Sequence, residues 1–274
     1  MALKFRLSLI TCLVLGTILH AQENRSRKLS FTAGPSHIAR QDLIFSPFIH
    51  KDLSVFNIGL KYEKNIKRHQ FVRLNYSGFT PGIETPYDFV LDGESETAYL
   101  HSFTFVSLDY GQGMYLGNSE KKQSILGVAM KLDVQALDYQ YGRASFFGYY
   151  STVGLGLWYK HIFQLNEKQQ LTGQIEAPLL SWYARSPYLI NDDKFIENVY
   201  SHQGVKTFFS LMEDGQIATW DQLQTLNASL AYQYNVSSKW TIGVTYQFAF
   251  VHANAPVKLT SFQNGLGVTV AVKL

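Results

Sequence analysis

The stretch Trp240-Thr-Ile-Gly-Val-Thr-Tyr-Gln-Phe-Ala-Phe250 alternates without a break. Trp240, Ile242, Val244, Tyr246, Phe248 and Phe250 share one parity; Thr241, Gly243, Thr245, Gln247 and Ala249 take the other. Successive side chains of an extended strand point to opposite faces, so a period of two gives one apolar and one polar face. The charge-free run from Trp240 to Val257 approaches the length of a membrane helix. Its alternation, its Thr and Gln residues and Pro256 near its end read as strand instead.

The pattern continues on both sides. Leu226, Ala228, Leu230, Tyr232 and Tyr234 oppose Asn227, Ser229, Ala231 and Gln233. Leu266, Val268, Val270, Val272 and Leu274 oppose Gly267, Thr269, Ala271 and Lys273. Phe56, Ile58, Leu60 and Tyr62, and Leu126 through Val134, repeat it earlier in the chain. Ten strands are expected, at about 28–38, 52–63, 70–79, 97–109, 123–134, 147–163, 170–183, 222–235, 239–252 and 264–274. Long connections (39–51, 80–96, 135–146, 184–221, 253–263) alternate with short polar ones (64–69, 164–169, 236–238). The segment 110–122 breaks that rhythm.

Composition bounds what such a sheet does. The 274 residues are 46% hydrophobic, 15% aromatic and 16% charged, and the mean hydropathy of -0.08 excludes a multi-span helical membrane protein. A net charge of +3 does not suggest nucleic acid as a partner. Lys4 and Arg6, an apolar run from Leu7 to Leu19, and Ala21 before Gln22 read as a cleaved signal peptide over residues 1–21. Cys12, the chain's single cysteine, lies inside that segment, so residues 22–274 form no disulfide and carry no thiol nucleophile. Those residues read as one domain.

A soluble sandwich also alternates, but an even strand count with alternating loop lengths is the pattern of outer-membrane barrels. Tyr62, Tyr232, Tyr234 and Trp240 lie beside the short turns, with Trp182 and Tyr183 at the opposite strand end, as lipid-interface girdles require. The polar parity carries small residues and sparse charges, expected to form a lumen network of Lys61, Glu63, Arg73, Lys131, Asp133, Lys160 and Glu176. Lys160 and Glu176 flank the turn at 164–169 and are expected as diagonal or direct cross-strand neighbours, a spacing that long side chains can bridge. Segment 22–274 thus resembles outer-membrane β-barrel proteins, a transmembrane antiparallel up-and-down fold. The Ala21–Gln22 junction and the ending Val272-Lys273-Leu274 resemble barrels of Bacteroidota. The resemblance implies export to the cell outer membrane and contact with its lipid. Other outer-membrane or periplasmic proteins are candidate partners.

No catalytic, cofactor-binding or metal-binding residue is expected. His101-Ser102 and Ser201-His202 are adjacent pairs, whose side chains diverge on a strand. Only assembly between strands, for instance of Ser46, His50, His101 and Ser102, would build a hydrolase site. Asp192, Asp193 and Glu197 read as a solvated acidic loop, with Thr207, Phe208, Phe209, Leu211 and Met212 nearby as a short amphipathic turn. Gly111, Gly113 and Gly117 read as a turn, and the histidines lack metal-ligand spacing. Asn75-Tyr-Ser77 and Asn227-Ala-Ser229 match glycosylation sites but fall inside strands. Ten strands leave too little room for a general porin. The expected role is therefore a non-enzymatic accessory or structural subunit of an envelope assembly, or a narrow passive conduit. A lipid acyl hydrolase and a soluble periplasmic binding barrel are the alternatives.

Overall fold

In the computed structural model the described residues are 26–81, 87–98, 100–119, 121–141, 144–186, 209–210, 212–213 and 215–274. The expected signal peptide lies outside them, as do Asp192, Asp193, Glu197, Ser201, His202, Thr207, Phe208 and Leu211.

The alternating segments form long antiparallel strands: β1 (Ser26–Asp42), β2 (His50–Asn65), β3 (His69–Phe79), β6 (Ser102–Asn118), β7 (Lys122–Tyr141), β8 (Ala144–Gln164), β9 (Gln169–Arg185), β11 (Leu223–Asn235), β12 (Trp240–Ala253) and β13 (Leu259–Lys273). Each pairs with its two neighbours, and β13 returns to β1, closing a ten-strand barrel. A separate hairpin of β4 (Tyr87–Leu91) and β5 (Glu94–Ala98) sits between β3 and β6. The short β10 (Gln216–Thr219) pairs with β9 above the β11 contact.

Two expected connections are instead strand. Residues 139–141 pair with 144–146, Gln140 opposite Ser145, and 135–138 with 147–150, so residues 142–143 alone separate β7 from β8. Gly111, Gly113 and Gly117 belong to β6, which runs on to Asn118 before the short connection at 119–121. The rhythm is then regular. Connections 66–68, 119–121, 165–168 and 236–239 lie at one end with both strand termini, Lys28 facing Lys273. The others lie at the opposite end.

The outer wall is apolar. Val244, Tyr246, Leu230, Leu266, Val268, Leu60 and Leu126 are exposed on it, while Thr241 and Thr269 are buried inside. Among the described residues three register shifts interrupt the ladders, on β2, on β6 between Tyr115 and Gly117, and on β9; those on β2 and β9 reset the phase within the wall. On β2, Val55 and Phe56 both face outward opposite the single residue Pro35, so odd residues point inward below them and even ones above. On β9, Leu179 is the extra residue and Leu179 and Leu180 are both exposed. Beyond them Trp182 faces out while Tyr183 and Arg185 turn in. Tyr183 is therefore a lumen residue, donating its hydroxyl to the Ala255 carbonyl, not a girdle residue. One inserted residue flips every side chain that follows.

Small lumen residues make room for large ones. A Cβ on Gly113 would lie 2.7 Å from Trp158 Cζ2 and 2.9 Å from Ile125 Cγ2. Phe71 and Trp158 pack edge to face at 5.2 Å, and Trp158 donates to the Val128 carbonyl at 3.0 Å.

Candidate functional site

The candidate site is the lumen itself. At the short-turn end, Glu63 Oε1 accepts from Lys160 Nζ at 2.7 Å and lies 3.0 Å from Lys61 Nζ. Lys28 has a neutral partner, donating to Gln233 Oε1 at 2.8 Å. One layer higher, Arg73 Nη2 lies 2.6 Å from Glu176 Oε2, and its Nε donates to Asp109 Oδ2 at 2.7 Å. Lys131 donates to Asn227 Oδ1 at 3.0 Å and sits 3.7 Å from Asp133.

Asp133 continues the chain upward. It accepts from Gln135 Nε2, whose Oε1 receives Arg40 Nη1 at 2.5 Å. Arg40 pairs with Asp42 at 3.0 Å, and Asp42 with Arg185 at 2.5 Å. Arg185 also donates to the Val257 carbonyl at 2.6 Å. Arg40, Asp42 and Arg185 are buried. Tyr150, Tyr183, Leu223, Val251, Ala253 and Leu259 pack together as one buried cluster at that level, and Ile38, Phe45, Phe79, Phe103, Leu137 and Tyr139 as another.

All seven charged residues expected in the lumen lie there, and Lys160 and Glu176 are diagonal neighbours within the expected placement, but they do not pair with each other. Lys160 faces Gln174 across the β8–β9 ladder and Glu176 faces Trp158, so the two are diagonal neighbours. Each reaches across the lumen instead: Lys160 to Glu63 on β2, Glu176 to Arg73 on β3. The interior of a narrow barrel brings opposite walls within reach of long side chains, and a carboxylate takes the cation with better geometry. Sequence reading missed Lys28, Arg40, Asp42, Asp109 and Arg185 as network members. Arg40, Asp42 and Arg185 fell in expected loops, although Arg40 and Asp42 continue the inward parity of Lys28 and Ser30.

Apart from Tyr183, the aromatic residues proposed for the girdles are on the outer wall. Tyr62 opposes Val72, Tyr232 opposes Val244, Tyr234 opposes Ile242 and Trp240 opposes Val272, all toward the short-turn end. Trp182 opposes Val153 near the other end and donates to the Met212 carbonyl at 2.9 Å.

The structure places the candidate Ser and His residues in different surroundings. His50 packs its ring against His101, Phe103 and Tyr139, at 5.0 to 5.6 Å between centroids. Ser46 Oγ accepts from Phe48 N, and Ser102 is exposed on the opposite face from buried His101. A Ser–His contact forms elsewhere, between neighbouring strands: Ser124 Oγ lies 2.8 Å from His161 Nδ1. Its third member is Tyr159 Oη, 3.1 Å from the same nitrogen, where a triad has a group that orients the imidazole through its other nitrogen. Among the described residues no group of three His, Cys, Asp or Glu is placed to hold a metal. Asn75 and Asn227 donate to or accept from lumen partners, Ser107 and Lys131.

Two cavities interrupt the lumen packing. A smaller one of about 140 Å³ lies around Asn57, Ser77, Gln135, Asn227 and Gln263. A larger one of about 460 Å³ occupies the short-turn half, lined by Lys28, Lys61, Glu63, Lys160, Gln233 and Thr269 among others.

A closed antiparallel ten-strand barrel with an apolar outer wall and a charged interior defines the chain as a β-barrel of the outer-membrane type. No family model matches the chain. No curated protein matches it either. Among solved structures it resembles the outer membrane protease OmpT from Escherichia coli, with a TM-score of 0.56 and 8% identity over 94% of this chain and 99% of that one. Neisserial surface protein A gives a TM-score of 0.38 at 10% identity, covering 92% of this chain and 100% of that one. The P. putida toluene transporter TodX gives 0.34 at 8% identity, covering 92% and 90%. Only the first of these likenesses bears on the fold, and none reaches to activity.

Proposed function

We propose that this chain is a non-enzymatic barrel of the cell outer membrane, exported by its residue 1–21 signal peptide, that serves as an accessory or structural subunit of an envelope assembly. The observation that carries the reading is the filled lumen at the long-loop end. Arg40, Asp42 and Arg185 bridge it, and two buried aromatic and aliphatic clusters pack around them. A passive conduit would need an open path there. The Ser124–His161 contact supports no hydrolase, because its imidazole nitrogen is shared with a tyrosine hydroxyl and the neighbouring backbone N–H groups belong to the ladder.

The test is reconstitution of purified, refolded protein in planar bilayers and in phospholipid vesicles. The reading expects a heat-shifted band in SDS, retention in carbonate-washed membranes, no steady conductance and no lipid turnover. An ion-selective conductance altered by Glu176→Gln would make the chain a conduit. Vesicle hydrolysis abolished by Ser124→Ala would make it an enzyme.

A further inference from the structure

The larger cavity has an unbalanced charge. Among its described lining residues Arg27, Lys28, Lys61, Arg73, Lys121, Lys122, Lys160 and Lys273 are cationic, and Glu63 is the one carboxylate. Arg73 is neutralised by Asp109 and Glu176. Glu63 is shared between Lys61 and Lys160, and Lys28 holds only the neutral amide of Gln233. Three lumen ammonium groups therefore face one carboxylate. Each ammonium carries three N–H donors, so donors remain to be used. Unpaired charge away from bulk water is costly unless a counter-charge meets it.

The surroundings give the cavity a direction. Arg27, Lys121, Lys122 and Lys273 line it at the short-turn end, and a charged mouth with low-dielectric walls concentrates ions of opposite sign. The far end of the lumen is packed by the Arg40–Asp42–Arg185 bridge. A volume of about 460 Å³ is within the usual range for small-molecule sites. Gln174, Gln233, Thr245 and Thr269 add neutral polar groups to the wall.

We propose that this cavity binds a soluble oligoanion, a small solute bearing two or more phosphate or carboxylate charges, taken up from the aqueous space at the short-turn end. Lys28 and Lys61 are its principal ligands, with Lys160 held back by Glu63. The lining side chains project inside the barrel wall, which an acyl chain does not cross, so a lipid headgroup is not the occupant. The proposal rests on the barrel fold and is independent of whether the chain joins an assembly.

Inorganic pyrophosphate is the probe. The chain from Gln22 is refolded in a zwitterionic detergent, checked by its heat-shifted band and titrated calorimetrically, with sodium chloride at matched ionic strength as control. The proposal expects saturable one-site binding that chloride does not reproduce. Lys28→Gln and Lys61→Gln should each weaken it about tenfold, the scale of one charge-assisted hydrogen bond. Lys239→Gln, on the exposed 236–239 turn outside the cavity, should leave it unchanged. Lys28→Gln breaks no ion pair, so it carries the test if Lys61→Gln fails to fold. Heat no greater than that of chloride, or an equal loss in Lys239→Gln, would overturn the proposal in favour of diffuse surface screening.

Discussion

Lys160 on β8 and Glu63 on β2 meet inside the barrel at 2.7 Å, although 97 residues separate them in the chain. Neither residue's own hairpin supplies that partner. The contact exists because the sheet closes, so it reports on closure more directly than any ladder hydrogen bond does.

That relationship sets the first prediction. Breaking a buried ion pair costs about 3–5 kcal/mol, because the surviving charge stays buried. Contacting residues show coupling of about 0.5–3 kcal/mol in a double-mutant cycle. Lys160→Met with Glu63→Gln should therefore be less destabilised than the sum of the single variants. Lys160→Met with Glu176→Gln should lie closer to additivity, because Glu176 belongs to Arg73. Urea unfolding of the detergent-folded protein measures both cycles. A larger coupling for Lys160 with Glu176 would contradict the cross-lumen pairing.

The second prediction concerns facing. Val244 is exposed on the outer wall, and Thr245 lies inside with its hydroxyl 2.9 Å from that of Thr269. An arginine facing lipid near the midplane costs about 2–4 kcal/mol. Val244→Arg should lower the yield of heat-shifted, assembled protein more than Thr245→Arg, whose side chain enters a cavity already lined by polar groups. Equal yields, or the reverse order, would invert the assignment of inside and outside.

Packing around Trp158 gives the third. Gly113 leaves no room for a methyl group against Trp158 and Ile125, whereas a Cβ on Gly173 would meet nothing within 4 Å. Overpacking a filled interior costs about 1–3 kcal/mol, and an unencumbered surface change stays within about 0.5 kcal/mol. Gly113→Ala should shift the urea midpoint to lower concentration and quench or displace the tryptophan emission. Gly173→Ala should leave both in place. A tolerated Gly113→Ala would mean that Trp158 is not seated between β6 and β7.

Much of the barrel was legible because alternation is a local property. Whether Val244 or Thr245 faces lipid depends only on parity within one strand, and the 240–250 stretch states that parity eleven residues running. The seven expected lumen charges share the polar parity of their strands for the same reason. Strand ends were less legible. Residues 135–141 carry Asp138 and Gln140 on their outward parity, polar enough to read as loop, yet they extend β7 while Leu137 and Tyr139 of the other parity are buried inside.

What the sequence determined by itself was the period, the strand number and the side each residue takes within an uninterrupted strand. Tertiary structure decided where that period is reset and which charges meet. A bulge is defined by the partner strand: Leu179 is extra only because Leu155 and Gly156 run past it in single steps. That reset turns Arg185 inward to Asp42. Glu63 likewise finds Lys160, and Glu176 finds Arg73, because closing ten strands sets the stagger of the walls and the width between them. No local pattern encodes that distance.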